Sequence, residues 1–471
     1  MSFFRTAREW ASNTLFSKAQ EEFSIQTITS DDMESWVSEC ANIYRGNPCW
    51  LSADDHIDTV SFAKAICSEV ARLVTMEISF SLAGSARADW LQMQLEKVKS
   101  SLRHWVEYGC AYGTVILKPN GETVDLYTPG QFVVTEAING KIKGALFYHH
   151  MADASGERWY TRMEYHHFRK DGIYQIDNIC YVGYSQGNTS RRIHISQTPW
   201  NDLEETVAIS NITEPLFAVF RMPQANNIDI NSPLGLPIFS EAVQELRDLD
   251  IAYSRNAKEI IDSKRTVLLD SDRLLPNAER LKSSNALRSS AMPDYIKLVD
   301  GDTSTESDIY HEINPQLNTD TRLKGINALL SQIGYKIGFS NGYFVFNESS
   351  GIQTATQIEA EQQRTVQLIQ DVREELKKTV KSLVSALDAF ASLYSLAPNG
   401  TYSLESAIHF EDITYSFEAD KAHHYQLAMS GKYPWEEYYV RYLKCSREEA
   451  RELLKMAKAE QKAPTLFSLD E

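Results

Sequence analysis

The feature that most restricts this chain is a long apolar stripe in its C-terminal third. Ile369, Val372, Leu376, Val380, Leu383, Leu387 and Phe390 recur every three or four residues, the period of one helical face. Upstream, Thr354-x-x-Gln357 and Thr356-x-x-Glu359 are equally good capping boxes, shifted by two. Either launches a helix to about Leu396, and about 40 residues at ~1.5 Å each make a rod of roughly 60 Å. A single small globule cannot surround such a rod. The helix must lie against a neighbouring subunit or kink where it crosses between layers.

The whole chain, 471 residues, is long enough for two to four structural units. Its first ~110 residues read as helical. Phe62, Ile66, Val70, Leu73 and Val74 make one stripe, and Leu91, Leu95, Val98, Leu102 and Trp105 place a second helix from Ala86 to about Tyr108. From Thr114 the character changes. Short β-rich runs separated by Asn120-Gly121 and Asn139-Gly140 read as hairpins, so about 112–225 is a mostly antiparallel β-rich unit. Pro233 and Pro237 then precede a helix striped by Phe239, Val243, Leu246, Leu249, Tyr253, Ala257 and Ile260. Thr266–Leu269 and Tyr295–Val299 read as short strands. Leu323, Ile326, Leu330, Ile333 and Ile337 define another helix. The segment 338–351 follows, with glycines and Asn341 that permit sharp turns and a short β-like run at Tyr343–Phe346. After Pro398 come a β-like stretch at 408–417, a helix over Trp435–Leu443, and one more opened by the Ser446-x-x-Glu449 box.

Charge narrows the function. The formal net charge is −17, which argues against tight sequence-independent nucleic-acid binding over the whole surface, since phosphate contacts need Lys and Arg. One stretch departs from this: seven cations between 264 and 297, including Arg273, Arg280, Lys282 and Arg288, face four acids. That stretch is ordinary solvated surface or a docking surface for a partner. No apolar run reaches the ~18–20 residues of a membrane span and no secretory h-region opens the chain, so a soluble, non-exported protein without membrane association is expected.

Motifs for catalysis are missing. The sequence holds no G-x-x-x-x-G-K-[ST], G-x-G-x-x-G or H-E-x-x-H. The six cysteines, Cys40, Cys49, Cys67, Cys110, Cys180 and Cys445, form no C-x-x-C pair and read as free buried thiols in a reducing compartment. The pairs His149-His150, His166-His167 and His423-His424 point their two members apart on any strand or helix. They read as surface or half-buried histidines, with a metal site as the alternative. Asp54-Asp55-His56 could in principle hold Mg²⁺ for phosphodiester hydrolysis, but such a run also suits a solvated turn. No catalytic residue, cofactor or metal is assigned, and no enzyme activity is expected.

The order helix, small insertion, helix, flexible loop, very long helix resembles the core of tailed-bacteriophage portal proteins. Ile43-Tyr44-Arg45-Gly46-Asn47-Pro48-Cys49-Trp50, Ala63–Ala71, Glu107-Tyr108-Gly109, Ile116-Leu117-Lys118-Pro119, Ser232-Pro233-Leu234-Gly235 and Thr354-Ala355-Thr356-Gln357-Ile358 resemble the portal family of siphophages infecting Gram-positive hosts. The resemblance implies an α+β portal fold in a ring of usually twelve subunits. Residues 1–232 would form the wing, 233–262 the first stem helix, 263–319 a small α/β clip and 320–338 the second stem helix. Residues 339–353 would form the tunnel loop, 354–396 the long wing helix, and 397–471 a helical crown. It further implies a homo-oligomer, in number a dodecamer, at one capsid vertex of the virion, assembled in the host cytoplasm. Double-stranded DNA would be packaged and ejected through its channel. Terminase large subunit, major capsid and scaffolding proteins, and head-completion or adaptor proteins would be its partners. Asn341, Gly342, Tyr343, Phe344, Asn347, Glu348, Ser349 and Ser350 would be the DNA-proximal loop residues; Lys324 and Lys336 candidate lumen cations; and Arg273, Arg280, Lys282 and Arg288 the clip docking surface. Tyr343–Phe346 would either face the lumen or pack against a neighbour. Another oligomeric virion protein, or a metal-dependent nuclease, would be the alternatives.

Overall fold

The computed structural model describes residues 15–455 except 55, 122, 264–265, 271–295, 300–309, 314–316, 347–354, 405–406, 411–423, 431, 444–449 and 452. The clip surface residues Arg273, Arg280, Lys282 and Arg288, the loop tip Asn347–Ser350, His423, Cys445 and the Ser446 box therefore lie outside the described residues. The chain divides into two units at Phe410.

The first unit mixes helices and sheets. Helices α1 (Asp31–Tyr44), α2 (Phe62–Val74) and α3 (Ala86–Tyr112) come first, with the short strand β1 (Ile78–Ser79) before α3. Serines cap two of them: Ser30 Oγ accepts from Met33 N and Ser85 Oγ from Ala88 N, each satisfying an orphan amide of the first turn. Nine strands follow: β2 (Thr114–Asn120), β3 (Thr123–Tyr127), β4 (Phe132–Ile138), β5 (Lys141–Ala152), β6 (Trp159–Phe168), β7 (Tyr174–Gly183), β8 (Arg191–Ile193), β9 (Thr206–Ile209) and β10 (Ala218–Arg221). They form a three-stranded sheet in the order β10-β2-β3 and a six-stranded sheet β4-β5-β6-β7-β8 with β9 also on β7. All pairings are antiparallel. At the β4–β5 hairpin Asn139 and Gly140 both have positive φ, 51° and 73°, as a two-residue primed turn requires.

Strand alternation gives the large sheet two buried faces. On β5, Leu146 and Tyr148 pack with Leu15, Ala19 and Ile25 of the N-terminal segment. Ala145 and Phe147 pack with Met33 and Val37 of α1 and with Leu234 and Leu236.

Helix α4 (Val243–Asp262) starts ten residues later than the proline punctuation predicts. Residues 232–239 instead run as a non-helical strap ending in a short 3₁₀ turn at Ser240–Ala242, because prolines push their preceding residues to extended backbone and Leu234, Leu236, Ile238 and Phe239 bury fully in the core. The strap crosses the end of α3 at backbone contact. Gly113 has φ 77°, and a Cβ there would sit 2.2 Å from the Gly235 oxygen. A Cβ on Gly235 would sit 2.7 Å from the Gly113 oxygen. Met222 N donates to Gly113 O, Ile238 N to Cys110 O and Gly235 N to Thr114 Oγ1.

Past α4, β11 (Thr266–Asp270) lies between β12 (Ile296–Val299), parallel to it, and β13 (Tyr310–Ile313), antiparallel. The third strand is absent from the sequence reading. Helices α5 (Thr319–Ile337) and α6 (Ala355–Leu393) follow, then β14 (His409–Phe410), which pairs with β1.

Helix α6 is a continuous 39-residue helix, about 58 Å long, and its own chain covers much of one face. Leu368, Ile369, Val372, Leu376, Val380, Leu383, Val384 and Leu387 are buried. Arg373 donates to the carbonyls of Leu73, Val74 and Met76, capping the C-terminal end of α2. Buried Arg87 of α3 reaches Ser392 Oγ at 3.1 Å and Asn399 Oδ1 at 2.8 Å. Thr379 Oγ1 donates to Val219 O of β10. Through Asn399 and β14 the compact first unit continues to Phe410, beyond the boundary at 396–397 drawn from the sequence. In the second unit, α7 (Trp435–Leu443) gathers Trp435, Tyr438 and Tyr425 into one ring cluster.

Gly235→Ala and Gly113→Val are each expected to destabilise the first unit by about 2–3 kcal/mol, because neither backbone can retreat to admit a Cβ. Urea denaturation followed by tryptophan fluorescence checks this; an unchanged midpoint would contradict the crossing.

Candidate functional site: the α4–α5 base and the segment after it

Helices α4 and α5 pack through Leu246 and Leu249 on one side and Ile326, Leu330, Ile333 and Ile337 on the other. At one end Lys336 Nζ lies 2.6 Å from Glu245 Oε1 and also donates to Glu241 O. Gln332 Nε2 donates to the same Glu245 oxygen. Nearer the insertion, Arg322 pairs with Glu259. Three side-chain anchors fix α4 and the turn before it to the helical region. Trp36 Nε1 donates to Ser240 Oγ, Trp50 Nε1 to Asp250 Oδ2, and Val60 N to Asp250 Oδ1. Burial raises the Asp250 carboxyl, and these donors oppose it. Lys336 is therefore held in an ion pair within the chain, whereas Lys324 is exposed.

The chain leaves α5 through Gly338, φ 107°, and doubles back. Residues 341–344 form turns, not the expected β-like run: Tyr343 N donates to Ser340 O and Val345 N to Gly342 O, with Gly342 at φ 78°. Tyr343 and Phe344 pack on helix α2 of the same chain. Phe344 stands edge-on to Phe62 at 5.2 Å between centroids and to Phe339 at 4.8 Å. The Tyr343 hydroxyl donates to Glu69, which Arg72 grips with two hydrogen bonds of 2.8 and 2.6 Å. Burial and the Glu69 bond push the Tyr343 hydroxyl up to about 12. Ser340 is tied to Thr365 Oγ1 at 2.9 Å. The Asn327 amide holds Phe346 at both backbone groups, donating to its oxygen at 2.9 Å and accepting from its nitrogen at 3.2 Å. Asn341 and Gly342 sit exposed at the turn.

A second constellation escaped the sequence reading. Phe147 and His149 of β5, Arg162, Glu164 and His166 of β6, and Asn178 of β7 share one face of the large sheet, because Phe147 is opposite Glu164, His149 opposite Arg162, and Glu164 opposite Asn178. Lys118 from β2 completes it. Glu164 receives Lys118 at 2.6 Å, His149 at 2.7 Å, Arg162 at 3.1 Å and, on its other oxygen, His166 at 3.0 Å. A carboxylate only accepts, so both Nε2 atoms carry the proton. Tyr174 then donates to His166 Nδ1 and accepts from Leu216 N. His166 is thus fully buried rather than a surface or half-buried residue, while His150 and His167 turn to the other face.

Burial works to raise the Glu164 carboxyl, but Lys118, Arg162 and the two imidazoles hold it well below the ordinary range. Burial lowers His149 to about 4 and also lowers His166. Two histidines around a carboxylate resemble metal ligands, but the ammonium and guanidinium already neutralise that oxygen pair. Among the described residues no group of three His, Cys, Asp or Glu is arranged to hold a metal. Asp54 and His56 are exposed on a turn closed by the Ser52–Ile57 bridge. Among the described cysteines Cys40, Cys67, Cys110 and Cys180 are buried, whereas Cys49, expected to be buried, is exposed in the turn after α1. No described helix is long and apolar enough to cross a membrane.

No protein-family model and no curated protein matches this chain. A solved structure titled as the neck of a native GTA particle, computed with C12 symmetry, is similar at 10% identity and a TM-score of 0.38, over 87% of this chain and 95% of that chain.

Glu164→Gln is expected to cost about 3–5 kcal/mol by stranding Lys118 and Arg162 in the core. In the native protein, stability is expected to fall as pH drops from about 6.5 to about 4. The unfolded chain takes up a proton on His149 in that window and the folded chain resists, giving about 1.4 kcal/mol per pH unit for that imidazole; His166, lowered by burial as well, acts in the same direction. Glu164, depressed in the fold, adds its loss below the ordinary carboxylate range. Urea midpoints measured between pH 7 and 4 check the slope, and a flat profile would contradict it.

Proposed function

We propose that this chain is the portal subunit of a tailed bacteriophage: a ring of copies at one capsid vertex through which double-stranded DNA is packaged and ejected, breaking no bond itself. One observation carries the reading. The α4–α5 hairpin, split by the β11–β13 insertion, buries only its base. Tyr253, Ile260 and Ile261 on α4, with Ile313 and Leu317 before α5, continue the apolar stripe but are exposed, by 52%, 53%, 65%, 42% and 49%. Exposed apolar side chains in such continuity mark a contact surface. A stem of repeated hairpins in a ring would cover them.

In this reading α4 and α5 are the stem, the insertion the clip, and 339–353 the tunnel loop, with its first half latched to α2 by Tyr343 and Phe344. Lys324 remains a candidate lumen cation, while Lys336 serves the stem's own packing. Arg273, Arg280, Lys282 and Arg288 would dock terminase and later the head-completion proteins, and capsid and scaffolding proteins would meet the ring's rim. Twelve copies at −17 each would carry roughly −200, so DNA would meet a like-charged wall, and counterion-release binding that slows transit would be avoided.

Negative-stain images of the protein, alone and co-expressed with capsid and scaffolding proteins, are expected to show rings with a central hole; monomers in both preparations would overturn the proposal. Deleting Asn347–Ser350 is expected to leave ring yield unchanged and to lower DNA retained per particle. Unchanged packaging would remove the loop from the DNA path.

A further inference from the structure

Two dissimilar features sit at opposite ends of α1, about 20 Å apart by its length. At its N-terminal end the loop 226–232 is built as a rigid projection. Asn226 Oδ1 accepts from Ile228 N and Asp229 N, and Asn226 Nδ2 donates to Leu234 O. Asp229 Oδ1 accepts from Asn231 N and Ser232 N, and Asp229 Oδ2 accepts from Ser30 N. This network holds Ile230 at 87% exposure, with Ile228 and Ile28 also exposed. The exposed acids Asp31, Asp32 and Glu34 occupy the adjoining first turn.

At the C-terminal end lies a cavity of about 450 Å³ lined by Tyr44, Arg45, Ser61, Lys64, Tyr108 and Tyr112. The three tyrosine rings stand 6.2–6.5 Å apart. Arg45 donates to the Tyr112 hydroxyl, and Tyr44 donates to Glu107 at the wall. Helix α2 begins at this cavity with no acid in its first turn and no side-chain cap from Ser61, so its partial positive charge adds to Arg45 and Lys64 and outweighs Glu107.

We infer that the Ile228–Ile230 projection of one copy seats in the Tyr44/Tyr108/Tyr112 cavity of the next copy, and this rests on the ring reading above. The shapes are convex and concave, the isoleucine side chains of the knob meet the tyrosine rings of the hole, and the rims carry opposite charge. A preorganised apolar knob loses little entropy on docking. The two patches differ, so the contact is head-to-tail, the kind that propagates around a ring rather than stopping at a pair. Acid on the knob and cations around the hole also fix its direction.

The test uses the full chain in a Cys49→Ser background. Ile230→Cys with Ser61→Cys is expected to give a ladder of covalent multimers on oxidation, and either change alone is not. Lys64→Glu is expected to raise the half-assembly concentration about tenfold by mass photometry, and adding Asp32→Lys is expected to restore it. Particles that assemble without cross-linking, or a charge swap without rescue, would overturn this contact and leave the ring reading standing. Wild-type protein that stays monomeric in every preparation would overturn both.

Discussion

The contact between Gly113 and Gly235 decides where everything C-terminal to it can go. Two backbones meet there at a separation that no side chain permits, and three hydrogen bonds from 222, 235 and 238 lock the crossing. Because the strap 232–239 is fixed against the end of α3, α4 leaves the core at one place and in one direction. Trp36, Trp50 and Val60 then hold its first turns, and α5 returns along it. The position of α6, and of the segment 339–346, follows from that departure.

The same crossing explains what the sequence made legible. The strings Glu107-Tyr108-Gly109 and Ser232-Pro233-Leu234-Gly235 stand out because they are where chain meets chain: a Cβ at Gly109 would lie 2.3 Å from the Phe220 ring. Helical periodicity located α2, α3, α5 and α6 well, since each buries one stripe. It overruns at Phe239, which is buried in the strap before α4 rather than on the helix. Periodicity registers burial without registering which backbone achieves it. The β-like reading of Tyr343–Phe346 failed for a related reason: the aromatics are there to pack on α2, and Gly338 and Gly342 turn the chain before a strand can form.

The Glu164 cluster was illegible because its members come from four strands, and only pairing register brings them to one face. Adjacent histidines looked like surface pairs. The pair rule, that neighbours on a strand diverge, was sound, but it says nothing about what waits on each side. Here Lys118 and Arg162 balance one carboxylate under two neutral imidazoles. Desolvating that many polar groups is tolerable only because nearly every one finds a partner. The arrangement joins β2 of the small sheet to β5 and β6 of the large one, so it sets how the two sheets face each other rather than offering a reactive centre.

Segment 339–346 gives the chain that follows it a fixed origin. Asn327 lies ten residues before the end of α5, about 15 Å back along the helix, and its amide grips Phe346 at both backbone groups. The chain is thus returned along α5 and released at one defined point, while Ser340 is tied to Thr365 on the opposite arm. Under the proposed reading, residues 347–353 begin from that point in every subunit. Symmetry would then place identical loop origins at one height around the channel. A loop that must meet DNA in register with its copies needs that shared height more than it needs any particular side chain at its tip.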